Sequence, residues 1–404
     1  MSALWWSSLL VAAYFPVEGV HWQCAKGTGS GRIDVVVGAG ALHEPETARG
    51  VAHLLEHLLF RKSNFAFRHE NGKTGLDFTQ YHRTTGRDAL PEAAAALLAE
   101  IADPTFTEDD LTIERKVVVK ELSERGLDRA SGPDPLFGTT LLARSPGGRT
   151  HDVERLQLSD VVAFHQRYYG KGNVAIKVSG ASDCEALRTR LQPLLRDWPA
   201  GEAAPQPTVL AKEPGQVTLP SQNFRQGYYW YASTPHERLL WVAIGEHLRL
   251  SALRELRQQQ GLVYSPQLRT QRLGPGGLIE LSIDAGSNGR AVARWFDETV
   301  AQLTTAVDVA QRLREPLAQV DQWLREHPEV SALAAIRAEP TPPQVLEELT
   351  DQVSAPMVAR LLTNDRRFGS ALAQTNVWSL LVLGIAGIVV LLFALYAGRE
   401  FMQS

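Results

Sequence analysis

The stretch that most constrains this chain is Ala52-His53-Leu54-Leu55-Glu56-His57-Leu58-Leu59-Phe60. Its leucines and its phenylalanine demand burial, yet it carries three polar groups that are costly to bury without partners. A helix resolves the conflict. Residues four apart stack on one helical face, so His53 and His57 come together, and Glu56, three after His53, flanks them. Two neutral imidazoles presented side by side suit zinc, and a neighbouring carboxylate can take a proton from water that the metal activates. The order H-x-x-E-H inverts the commoner metalloprotease spacing.

A zinc site of this kind needs a third protein ligand. The chain has only two cysteines, Cys24 and Cys184, far apart in sequence. They are read here as neither a disulfide framework nor a CxxC clip, which leaves histidine and carboxylate as ligands. A helix beginning near Thr107, with acidic residues in its first turn, carries Glu114 and Glu121. These lie seven apart, two turns along one face. Read alone they are a pair of solvated glutamates; beside H-x-x-E-H they are candidates for the missing ligand. His82, His151 and His165 have no ligand spacing to one another and are read as packing or surface residues.

The surrounding pattern is mixed. Strands are expected over 20–40, a half-buried strand over 71–87, helices over 89–101 and 159–169, a closing strand over 173–180, and a helix over 186–198 kinked at Pro193. Prolines at 199, 205, 207 and 214 read as a linker. The second half repeats the β/α alternation without a metal motif, and residues 308–375 read as helical with no closing strand. The expected fold class is α+β, in two tandem domains of mixed or antiparallel sheet with helices on one face, the second abbreviated. The boundaries are 1–200, 201–375 and a terminal piece, 376–404. With 404 residues the chain is long enough for both cores. A net charge of −4 argues against nucleic acid as a partner.

The terminal piece contains Val377 to Ala397, an uncharged run flanked by Trp378 and Tyr396, long enough to cross a bilayer. It is expected to be a single-pass C-terminal membrane anchor. Arg360, Arg366 and Arg367 precede it and only Arg399 follows, which places the main body on the cytoplasmic side. The apolar stretch Ala3 to Phe15 has the length of a signal-peptide core but lacks a preceding Lys or Arg.

Four motifs in order give the chain a resemblance to the pitrilysin/insulinase family of zinc metallopeptidases, which includes the mitochondrial processing peptidase. They are His53 to His57 with Gly50 and Phe60; Glu114-Arg115 with Glu121-Leu122; Tyr169-Gly170 with Asn173 and Gly180; and Leu256-Arg257 with Gly261-Leu262 and Tyr264. The resemblance implies one Zn2+ per chain bound by His53, His57 and Glu121, with Glu56 as general base and Glu114 supporting the site. It implies that Arg257 and Tyr264 close on the substrate from the opposite half of the molecule. The substrate would be a peptide or unfolded polypeptide adding itself as a strand to the edge at Gly75 to Tyr81, against Asp77, Phe78 and Thr79. Asp77 departs from the asparagine usual there. Two domains make half of the family's closed chamber, so a homodimer or a heterodimer with a paralogous subunit is expected. The function expected is that of a membrane-anchored zinc endopeptidase of the HxxEH type. The alternative is a non-catalytic core subunit of a membrane complex.

Overall fold

Strand β3 (Gly31–Val37) buries Ile33, Val35 and Val37 on one face and Val36 on the other, so it has to run through the middle of a sheet covered on both sides. In the computed structural model of the protein it does. The structure describes residues 13–61, 69–124, 145–206, 216–218, 223–230, 234–273, 276–363 and 367–371. The first sheet is built from β1 (Phe15–Val17), β2 (Val20–Lys26), β3, β4 (His69–Thr74), β5 (Thr79–Thr85) and β6 (Val174–Ala181). Its order is β1-β2-β6-β3-β5-β4, with β2 and β6 parallel and the other pairs antiparallel. The half-buried strand expected over 71–87 is in fact the hairpin β4–β5, turning at 75–78. Strand β4 is the outermost of the described strands on its side.

Helices α1 (Val51–Arg61), α2 (Leu90–Ala102), α3 (Glu108–Glu124), α4 (Thr150–Val153), α5 (Leu158–Tyr168) and α6 (Cys184–Asp197) pack on the Ile33 face. The Tyr169 to Asn173 motif proves structural. Tyr169 shares a hydroxyl–hydroxyl hydrogen bond of 2.6 Å with Tyr81, and Asn173 donates to the Tyr168 carbonyl.

The second half has β7 (Gln216–Thr218), β8 (Asn223–Trp230), β9 (Gln267–Leu273), β10 (Gly276–Asp284) and β11 (Arg367–Ala371), in the order β7-β11-β8-β10-β9. Its helices are α7 (Pro235–Ser251), which runs on into a π-helical stretch over Ala252–Gln259, then α8 (Gly289–Thr305), α9 (Val309–Arg312), α10 (Arg314–Glu326), α11 (Pro328–Ile336), α12 (Pro342–Gln352) and α13 (Ala355–Leu361). A closing strand therefore exists where none was expected. β11 inserts between β7 and β8, and its Arg-Phe-Gly-Ser-Ala sequence has too little β-branched or aromatic character to announce itself.

The mixed α+β architecture is as expected, but the helices are not confined to one face. Helix α11, from the second half, lays Ala332, Leu333 and Ile336 against Val36 and Ala175 on the opposite face of the first sheet. Arg337, just beyond it, pairs with Asp77 at 2.9 Å, and Glu329 pairs with Lys73 at 3.2 Å.

Two further expectations are corrected. Among the described residues no helix is long and apolar enough to cross a membrane: α3, α7 and α8 have 17 residues each and all carry charges along their length. The run Val377 to Ala397 lies outside the described residues, as does most of the stretch beginning at Ala3, so the single-pass anchor has no support. The two cysteines, expected to form no disulfide framework, are joined. Folding brings Cys24 of β2 to Cys184 at the start of α6, with Cα atoms 5.8 Å apart and 160 residues between them. Disulfides form and persist in oxidising compartments, which weighs against the cytoplasmic placement of the body.

Candidate metal centre

Helix α1 starts without a side-chain cap of its own, and the chain supplies one from a distance. The buried Glu44 carboxylate accepts the Gly50 N–H at 2.9 Å and the Ala52 N–H at 3.0 Å, placing negative charge at the helix N-terminus. Gly50, at φ +87°, makes the entry turn. Leu54, Leu55, Leu58 and Leu59 are all buried beneath the sheet, so the opposite face carries the polar groups out toward α3. Helix α3 opens with a reciprocal cap, Thr107 Oγ1 accepting the Asp110 N–H and the Asp110 carboxylate accepting the Thr107 N–H. It buries Leu111, Val118 and Leu122, and Glu114 and Glu121 share the face this spacing defines.

The two helices bring His53, His57 and Glu121 together, with one ligand atom from each lying within 4.8 Å of the others. The imidazoles are 4.8 Å apart and perpendicular, at 89°. Glu121 Oε2 stands 3.1 Å from His57 Nε2 and 3.8 Å from His53 Nε2. Ligands about 2.0–2.1 Å from a tetrahedral zinc stand roughly 3.4 Å from one another. The His57–Glu121 pair is close to that separation, the set as a whole is somewhat wider, and its two imidazoles and one carboxylate are the donors zinc takes. Glu114 Oε2 faces His57 Nδ1 at 3.4 Å, leaving Nε2 turned toward Glu121. Glu114 is held in turn by Arg61 at 3.0 Å, and Arg61 by Asp110 at 2.8 Å.

Glu56 points across to the edge strand, where Thr74 Oγ1 donates to its Oε2 at 2.6 Å. Burial pushes its carboxyl above the ordinary carboxylate range. The Thr74 hydrogen bond and His57 pull the other way, and nearby Glu121 adds to the rise. Gly72 of β4 passes so close that a Cβ there would sit 2.4 Å from Glu56 Oε1 and 2.6 Å from its Cγ. The backbone of the outermost strand thus lies directly over the candidate base.

The remaining expected site residues fall elsewhere. Asp77 and Thr79 are buried, Asp77 against Arg337 and Thr79 donating to the Ala39 carbonyl at 2.9 Å. Phe78 is half-buried with the Lys73 ammonium 5.3 Å from its ring. Residues 75–78 form the hairpin turn and β5 is an inner strand, so among the described strands the outer edge on this side is β4. Arg257 stacks its guanidinium 5.1 Å from the Tyr264 ring, and Tyr264 is 79% exposed. Sequence reasoning missed Gly72, Thr74, Arg61 and Glu44. Of these only Arg61 carried a signal, as a cation in the last turn of α1.

A cavity of about 910 Å³ opens between the two halves. Lys73, Thr74 and Phe78 line one side, with Leu268, Trp323 and Leu333 among those on the other. Thr74 joins this cavity to Glu56.

Residues 23–127 match the insulinase family, peptidase family M16, and residues 155–309 match the domain described as the peptidase M16 inactive domain. The chain is similar to an uncharacterised zinc protease of Mycobacterium tuberculosis, 25% identical over 271 residues that cover 58% of this chain and 61% of that protein. It thus spans about three fifths of the length of such curated relatives. In fold it is similar to a protease from Helicobacter pylori, with a TM-score of 0.70 at 17% identity, covering 88% of this chain and 98% of that one. It is also similar in fold to a chain of complex III2 from Candida albicans, with a TM-score of 0.69 at 14% identity, covering 89% and 96%.

Proposed function

Because this chain belongs to the insulinase family of peptidases, family M16, we propose that it is a zinc-dependent endopeptidase acting on peptides and extended segments of unfolded polypeptide. One observation carries this reading: a His53–His57–Glu121 donor set with Glu56 turned toward the outermost strand. Zinc held by those three side chains would polarise a peptide carbonyl and activate water. The protein's own groups do the rest. An extended substrate pairs with the outer edge of β4, which satisfies its backbone and presents one peptide bond above Glu56. Glu56 takes the proton of the attacking water and delivers it to the departing amine. Thr74 fixes the carboxylate, and Glu114 orients His57.

The exposed Arg257–Tyr264 stack suits a second subunit. Reaching across a dimer, its guanidinium and phenol would steady the developing oxyanion at the neighbouring chain's site. Stripping the metal with a chelator should abolish cleavage of unfolded casein, and stoichiometric zinc should restore it. Cleavage that survives complete metal removal would end the reading.

The fold shared with a complex III2 chain favours a second reading, a non-catalytic subunit. It requires stoichiometric membrane partners on co-purification whether or not Glu56 is intact. An intact set of ligands and base favours the peptidase.

A further inference from the structure

The geometry points to helix α11 as a brace: we propose that Arg337 and Glu329 are positioning residues that hold the β4–β5 hairpin in the shape a substrate strand pairs with. This rests on the reading of β4 as the substrate edge. Residues 328–337 fall outside both stretches that match the family, 23–127 and 155–309, so no assigned role accounts for them.

An outermost strand is bonded on one side alone and is prone to fray, yet strand addition needs it ordered beforehand. Strand β4 is pinned on both faces. Side chains alternate along a strand, and Thr74 turns to Glu56 while its neighbour Lys73 turns to Glu329. The turn that follows is fixed more firmly. Asp77 and Arg337 pair at 2.9 Å with side chains only 4% and 5% exposed. Phe78 packs beside Leu333 and Ile336, and the Lys73 ammonium lies 5.3 Å from its ring. Two adjacent residues therefore connect the candidate base to the second half of the molecule. A shift of α11 disturbs the edge strand that a substrate would pair with, while Glu56 stays fixed by the buried helix α1.

The test uses the full chain, loaded with zinc, as wild type, Arg337→Gln, Arg337→Lys and Lys73→Met. Hydrogen exchange is followed at the β4 amides bonded to β5, and KM, kcat and zinc content are measured with unfolded casein. In Arg337→Gln the β4 amides should exchange about 10-fold faster while those of α1 keep their protection. KM should rise about 10-fold, with zinc content unchanged and kcat falling less than about threefold. Arg337→Lys, which keeps the charge, should recover most of the loss. If Arg337→Gln does not fold, Lys73→Met carries the same readouts, its side chain being 57% exposed. Unchanged β4 exchange and KM would overturn the proposal, as would loss of α1 protection together with that of β4. Exchange needs no turnover. A wild type that cleaves nothing therefore counts against the peptidase reading, while accelerated or unchanged β4 exchange still supports or overturns the brace.

Discussion

Glu56 has little room to move, since Gly72 lies against its carboxylate and Thr74 holds one oxygen. A side chain at position 72 must displace the base. Gly72→Ala should therefore lower kcat about 100-fold, the scale of a misplaced catalytic group, with zinc affinity within error of wild type. Thr74→Val leaves a buried carboxylate short of one donor and should cost kcat about 10-fold. Stopped-assay kinetics beside zinc competition titrations check both. A second residue-scale expectation concerns pH. Burial lowers the pKa of His43, His165 and His247 below the ordinary histidine value. Between the folded and unfolded values the unfolded chain binds more protons, so stability rises with pH. Their contribution is complete above about pH 6.5 and is lost as pH falls below it. His165→Gln, which can still donate to the Ile101 carbonyl, should flatten the fall in melting temperature between about pH 6.5 and 5; an unchanged slope would contradict this assignment. At this scale the clustering of His53, His57 and Glu121, with Glu56 beside them, was legible, because few residue types suit zinc and helical spacing restricts where they stand. Gly72 and Thr74 were not. Glycine and threonine are common in hairpins, and their role arises only when β4 crosses α1.

The disulfide shows what element-level reading loses. Cys24 and Cys184 sit in a strand and a helix that are distant in sequence, and only the parallel pairing of β2 with β6 brings α6 back to β2. Closing a loop of this length should stabilise the fold by about 2–5 kcal/mol. Cys24→Ser with Cys184→Ser, or reduction of the wild type, should lower the denaturation midpoint accordingly. Equal midpoints with and without reductant would show the bond absent or energetically silent. Periodic helices such as α2, α3 and α5 fell close to their expected bounds because burial of one face leaves a repeating signal. The hairpin did not, since residues 71–87 read as one alternating run with the turn hidden at 75–78. Strand β11 was invisible because its pairing partners, and not its composition, make it a strand.

Among the described residues, α11 packs the second half of the chain against the first sheet, and a cavity lies between the two halves. No periodicity announces that contact, since the buried face of α11 would look the same packed against its own domain. The exposed Arg257–Tyr264 stack gives a test of assembly. If the pair serves the neighbouring subunit, mixing inactive Glu56→Gln with inactive Arg257→Ala chains should restore about a quarter of wild-type activity, from the one complete site in each mixed dimer. No recovery after subunit exchange would assign the pair to its own chain or to no site. The central claim, that His53, His57 and Glu121 hold zinc for a reaction in which Glu56 moves the proton, meets its most direct test in Glu56→Gln. Zinc content and casein cleavage should be measured on that variant and wild type together. The account predicts one zinc in each protein and cleavage lowered about 10²- to 10⁴-fold in the variant. A wild type that binds no zinc, or a variant as active as wild type, would contradict it.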